Sequence, residues 1–439
     1  MSLFVSARRS LAAVAVLLLS TPGASAATIT WDGGGGTLNW LTPANWSGDT
    51  LPGPNDDVVI DAPGTVVIAL TGNASIKSLV SSEGLVVSNS GGLTVATTAS
   101  VSGPISLSAG SLLGGTWTAP GGLAPTTNGL NRLVGVTFNG SIGVGTNFRL
   151  VVQNGLVLNG TLSMTGFNPR VSLDGTQTIG GNAILDLEGN QNNPARLDVE
   201  GTSVVTFAPS VSILAGEGLI GSATFVGGPS TIVNQGTITQ DVAGRTLSIV
   251  GESFVNEGDV VAAVGTLAIA PTQSWTNTIG EMRATTGGTL SLDGPVAASE
   301  VGVVQNVSGT VVVTATLDLA GGTLAFGPAT GLWTFSAATV KNGDITIAPG
   351  FGPLFAQNNV VFDGIDVTGS FQLDSNRRLI VRNGFTLDGT LAMVGSNPRL
   401  VFDGTQTFDG NAVVQLDGNQ NNPARIDVDG ASVLTIAST

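Results

Sequence analysis

Two short runs carry the side chains of this chain best placed to do chemistry: Arg196-Leu197-Asp198-Val199-Glu200 and Arg425-Ile426-Asp427-Val428-Asp429. In a β-strand, residues two apart share a face. Leu197 and Val199 are therefore expected to point inward while Arg196, Asp198 and Glu200 line the outside, and Arg425, Asp427 and Asp429 are expected to do the same in the second run. A row of carboxylates beside arginines suits glycan contact, or the acid and base of a polysaccharide-cleaving enzyme. It suits equally a surface ion-pair row that does neither, and exposed charges on strands are ordinarily of that kind. The loop ahead of the row, Gly189 to Arg196, recurs letter for letter at Gly418 to Arg425. Its amides match sugar hydroxyls, but they match local turn backbone better, with Pro194 and Pro423 holding the exit extended.

The rest of the inventory narrows the chemistry sharply. The 439 residues include no His, no Cys and no Tyr, which removes the usual general base, the thiolate, the common zinc ligands and the phenolic acid. Only carboxylates, Arg, Lys and hydroxyls remain. No residue is assigned a catalytic, cofactor-binding or metal-binding role, and the Gly-Gly-x-Gly-x-Asp nonapeptide of calcium-binding β-rolls does not occur.

The elements that must carry these residues are announced by repetition at two scales. Arg149 to Ser210 aligns without a gap on Arg378 to Thr439, with 38 of 62 positions identical. Within that long unit runs a shorter beat. Asn234, Asn256 and Asn277 follow one another at intervals of 22 and 21, and Leu247, Leu267, Leu290 and Val311 at intervals of 20, 23 and 21. Short apolar strands recurring on such a beat predict a solenoid, whose coils bury their apolar faces only against neighbouring coils. Corners are expected at Gly and Asn, as at Asn154-Gly155 and Asn159-Gly160. The predicted fold is all-β, a right-handed parallel β-helix with an N-terminal β cap.

Composition agrees with that fold. Gly makes up 63 of the 439 residues and charged residues only 10%, against roughly 7% and 25% in ordinary domains. Residues 1–26 read as a signal peptide: Arg8 and Arg9, the apolar run Leu11 to Leu19, then Ala24-Ser25-Ala26 as a cleavage site. That predicts an extracellular or cell-surface location and no transmembrane anchor. Losing Arg8 and Arg9 with the leader takes the net charge from −15 to −17, which disfavours nucleic acid as a partner.

Residues 27–74 form a Trp/Gly-rich segment. Trp31, Trp40 and Trp46 are candidate sugar-stacking rings if exposed, and packing for the open first coil if not. The β-helix is expected over 75–334, including the first long unit, and over 335–439 as part of a second. Because the second unit stops at Thr439, opposite Ser210 of the first, its last coil is expected to be open and prone to end-to-end self-association.

The Trp31-Asp32-Gly33-Gly34 opening, Ala44-Asn45-Trp46, and Pro52-Gly53-Pro54-Asn55-Asp56-Asp57-Val58-Val59-Ile60 resemble the segment that begins many large secreted bacterial β-solenoid proteins of the adhesin and autotransporter-passenger (filamentous-haemagglutinin-like) kind. The runs Val233 to Ile238, Asp241 to Ile249 and Phe254 to Gly258 are similar to their repeats. The resemblance implies a secreted or surface β-helix, and no catalytic motif of the group carries over. The expectation is a non-enzymatic, adhesin-like scaffold with surface glycans or other surface proteins as partners and no cofactor. The alternatives are a carboxylate-based polysaccharide hydrolase or lyase, and a carbohydrate-binding module built on the tryptophans.

Overall fold

The computed structural model describes residues 26–127, 129–352, 354–355 and 358–437. All but the last residue of the expected leader lies outside them. Strands make up 59% of the chain and helices 2%, wound into a β-solenoid of about 17 turns.

The middle of the stack shows how the short beat builds a coil. Three strands, Thr231–Asn234, Thr237–Gln240 and Thr246–Ile249, make one turn. Each pairs in parallel, without register slip, with the equivalent strand of the next turn: Thr231 on Ser253, Thr237 on Asp259, Thr246 on Thr266. Alternation then does the rest. Ile232, Ile238 and Leu247 are fully buried, while their Thr and Ser neighbours face outward. Stacking turns such positions into columns, such as Leu247, Leu267, Leu290, Val311 and Trp333. Each column continues the apolar core from coil to coil. In the later coils aromatic rings share this role, from Phe326 against Trp333 (5.7 Å between centroids) to Phe385 stacked on Phe408 (5.6 Å).

Asn234, Asn256 and Asn277 prove to be core residues rather than corner residues. Their side chains are buried and form an amide ladder: Asn234 Nδ2 donates to Asn256 Oδ1 (2.8 Å), and Asn256 Nδ2 to Asn277 Oδ1 (2.6 Å). Asn277 Nδ2 ends it on the carbonyls of Val301 and Val303, both at 2.9 Å. The following glycines fit tightly beneath, since a Cβ on Gly258 would overlap the Gly236 carbonyl oxygen. In Asn234-Gln235-Gly236 and Asn256-Glu257-Gly258 the ladder amide is thus followed by the residue that lets adjacent corners touch. Asn154 does turn a corner, with φ 58°, ahead of Gly155 at 85°. Asn159 instead donates along the outside to Asn139 (2.8 Å).

The parallel ladder reaches back to Thr28–Thr30 on Asp57–Ile60, so residues 27–74 are both the end of the stack and its first coil. At the other end of the described stack, Ile426 and Ile436 are exposed, although their first-unit counterparts Leu197 and Phe207 are buried.

Candidate functional site

The Arg196 row sits on the strand Ala195–Glu200, which pairs with Arg170–Asp174 on one side and Gly218 to Ile220 on the other. Parallel register brings Arg149, Arg170 and Arg196 into one column, since Arg149 pairs with Arg170 and Arg170 with Arg196. Leu197 and Val199 point inward as expected. The outward residues, however, are not solvated: Asp198 is 0% exposed and Glu200 1%.

The cover is the segment from Ser222 to Gly228. It departs from the stack just after Ile220 and folds back across the row. Ser222 Oγ donates to Asp198 Oδ1, while Arg196 Nη2 donates to Ser222 Oγ (2.7 Å) and Thr224 Oγ1 (3.1 Å). The backbone N–H groups of Phe225 and Val226 both donate to Glu200 Oε2, at 3.0 and 2.8 Å. The Phe225 ring lies against the Arg149 guanidinium, 3.5 Å from its centroid, an orientation that suits a cation. Beneath this cover Asp198 pairs with Arg196 (3.3 Å) and Arg170 (3.5 Å), and Glu200 with Arg149 (3.8 Å) and the Ser172 hydroxyl (3.3 Å). Burial pulls the Arg149 and Arg170 guanidiniums below their ordinary value, opposed by the charges of Glu200 and Asp198. All four carboxylate oxygens are occupied, so the row is an enclosed ion cluster. A pocket of about 500 Å³ remains beside it, lined by Asn147, Arg149, Asn168, Arg170, Thr224 and Phe225.

The coils here are longer than the expected beat. Arg170 to Arg196 spans 26, Gln177 to Val205 28 and Gly218 to Leu247 29. The excess lies in the 189–194 loop and the covering segment. Within the loop, Asn190 Oδ1 accepts from the N–H groups of Asn192 (3.3 Å) and Asn193 (3.0 Å), as expected of a turn. Asn419 does the same in the second unit, with Asn421 (3.2 Å) and Asn422 (2.8 Å).

The second row has the same register, with Arg378 on Arg399 and Arg399 on Arg425, but no cover among the described residues. Arg378 pairs with Asp429 at 3.1 Å and Arg399 with Asp427 at 3.8 Å. The Asp429 side chain is 51% exposed.

The tryptophans offer no open ring. Trp31, Trp40 and Trp46 are 7%, 1% and 0% exposed. Trp46 packs edge-on against Trp31 (5.0 Å) and Trp40 (4.9 Å), and its indole N–H donates to the Trp40 carbonyl (2.7 Å). They plug the first coil, which is why they cluster.

A second carboxylate group escaped the sequence reading. Asp186 and Glu188 share the outer face of Ala183–Gly189. Burial pushes both carboxyls above their ordinary values, and the Asp241 charge adds to it, reinforced at Glu188 by Asp186. The spacing Asp-x-Glu on a strand was the available signal. Its counterparts Gln415 and Asp417 do not preserve it. Among the described residues no three or more His, Cys, Asp or Glu gather so as to hold a metal ion, and no helix is long and apolar enough to cross a membrane. Comparison of the chain with protein-family models, curated proteins and solved structures returns no match.

Proposed function

We propose that this chain is a non-enzymatic, exported β-helix serving as an adhesin-like or cell-surface structural scaffold, with surface glycans or other surface proteins as its partners. One observation carries the reading. A catalytic carboxylate must exchange a proton with, or attack, a substrate within hydrogen-bond reach. Asp198 and Glu200 instead spend every oxygen on arginines, hydroxyls and backbone N–H groups beneath the Ser222 to Gly228 cover. Coils stacked in parallel and presenting Thr, Ser and Asn faces suit a spacer or display surface. The acidic balance of the chain, −15 overall, argues against polyanionic partners.

The alternative of a polysaccharide-active enzyme draws on Asp186 and Glu188. Carboxyls held above their ordinary range suit a general acid, and they stand outside the enclosed cluster. Glycan binding through the tryptophans has no such support, because their rings are packed.

Export is the part of the proposal tested first. In cells producing the full chain, the protein is expected outside the cytoplasm, and deletion of residues 2–26 is expected to retain it inside. Cytoplasmic retention of the intact chain would contradict the proposal.

A further inference from the structure

Acidic residues outnumber basic ones in this chain by 30 to 15, yet one concavity has the opposite balance. The pocket of about 500 Å³ beside the enclosed cluster carries two guanidiniums, Arg149 and Arg170, and no carboxylate among its lining residues. A hollow of similar size farther along the stack, about 530 Å³, is lined instead by Glu257, Asp259 and Glu281. Composition by itself would favour the acidic kind.

The donors of the arginine pocket are held in place but only partly engaged. Arg149 Nε donates to Ser172 Oγ (3.0 Å), while its Nη2 stands 3.8 Å from Glu200 Oε1, beyond hydrogen-bond reach. Arg170 Nε donates to Asn168 Oδ1 (3.1 Å) and its Nη1 to Asp198 Oδ2 (3.5 Å). Among the described residues, both terminal nitrogens of Arg149 and Nη2 of Arg170 thus have no acceptor, and none of the three is buried. Thr224 Oγ1 accepts from Arg196 Nη2 (3.1 Å), which leaves its own O–H to donate. The Phe225 ring, which lies on Arg149, is 51% exposed.

Converging donors without an acceptor select a ligand with a negative charge and paired oxygens, and arginine favours a planar carboxylate. The half-open phenyl ring adds an apolar surface that suits the C–H face of a sugar. The overall charge of −15 works against long polyanions, so the anion must be sparse. We propose that this pocket binds a single uronate residue of an otherwise neutral glycan, its carboxylate on the terminal nitrogens of Arg149 and Arg170 and its ring beside Phe225. The assignment rests on the reading of surface glycans as partners and narrows it to one class. Ordering costs little on binding, because Ser172, Asn168, Asp198 and Phe225 already hold both guanidiniums.

Methyl glucuronide titrated into the full chain and followed by ligand-observed NMR tests the assignment, with methyl glucoside and sodium sulfate as comparison probes. Saturable binding of the glucuronide at millimolar concentration is expected, weakened at least about tenfold by Arg149→Gln or Arg170→Gln, and the glucoside should bind at least about tenfold more weakly than the glucuronide. Phe225→Ala keeps the backbone N–H that donates to Glu200 and should weaken binding about threefold, which keeps the test open if an arginine variant does not fold. Glu257→Gln, at the other hollow, should leave it unchanged. Absence of saturation, equal binding of the glucoside, or insensitivity to the arginine and Phe225 variants would overturn the proposal. Sulfate binding as tightly as the glucuronide would also overturn it, by reducing the pocket to an anion hole. Methanol released from bound glucuronide would contradict the non-enzymatic reading while leaving the binding assignment in place, so the two failures are read separately.

Discussion

Asp198 and Asp427 occupy the same place in two copies of one repeat, yet removing them should have very different consequences. Asp198→Ala strands Arg170 and Arg196 in a closed cluster and is expected to cost about 3–5 kcal/mol, the usual range for breaking a buried pair. Asp427→Ala removes a solvated partner and should cost below about 1 kcal/mol. Denaturant unfolding of the two variants checks this, and equal losses would contradict the enclosed-cluster assignment. The sequence reading placed these residues on the correct face through strand alternation. It missed their burial because the cover comes from the coil that follows, in a segment with no periodic signal of its own. Asp186 and Glu188 make a pH-dependent prediction. Their carboxyls are held above the ordinary value, so the folded chain disfavours ionising them, and the penalty applies above that range and fades as pH falls toward about 4. Glu188→Gln should therefore raise the thermal midpoint at pH 7 by about 2 °C, and the gain should vanish near pH 4. A gain of equal size at both pH values would show that the shift is not its origin.

At the scale of the coil, the amide ladder is the element most open to test. Asn256→Ala removes the acceptor of Asn234 Nδ2 and the donor to Asn277 Oδ1 inside the core. Each buried polar group left unpaired costs about 1–3 kcal/mol, so a loss of several kcal/mol is expected. Asn159→Ala breaks two exposed bonds, one donated to Asn139 and one accepted from the Asn182 N–H, and, because water replaces both, should cost under about 1 kcal/mol. Hydrogen exchange should locate the Asn256→Ala damage in the adjacent coils, because each coil depends on its neighbours; protection equal to the parent chain there would count against the ladder. The regular spacing of these asparagines was plain in the sequence, but Asn is common both at corners and in ladders. Only the third dimension separates the two, through the absence of positive φ at these three positions.

For the whole molecule, period and alternation sufficed to predict parallel coils, because a solenoid repeats one local solution and needs no long-range topology to be guessed. Irregularity was harder to foresee. The longer coils at 170–247 arise where the chain leaves the stack, and they are what close the first row. The tryptophan cluster was legible as either cap or binding face, and packing, which depends on how Trp40 meets Ala69 through a 2.8 Å backbone bond, places it in the core. These features together describe a β-solenoid whose conspicuous first charged row is an enclosed ion cluster.

The most direct measurement of that account is turnover on a panel of neutral and acidic polysaccharides, read as new reducing or unsaturated chain ends over prolonged incubation with the purified chain. No release above the protein-free control is predicted. Release that is abolished by Asp198→Ala, Asp427→Ala or Glu188→Gln in a variant shown to remain folded would contradict it, and would make the carboxylate concerned part of an active site.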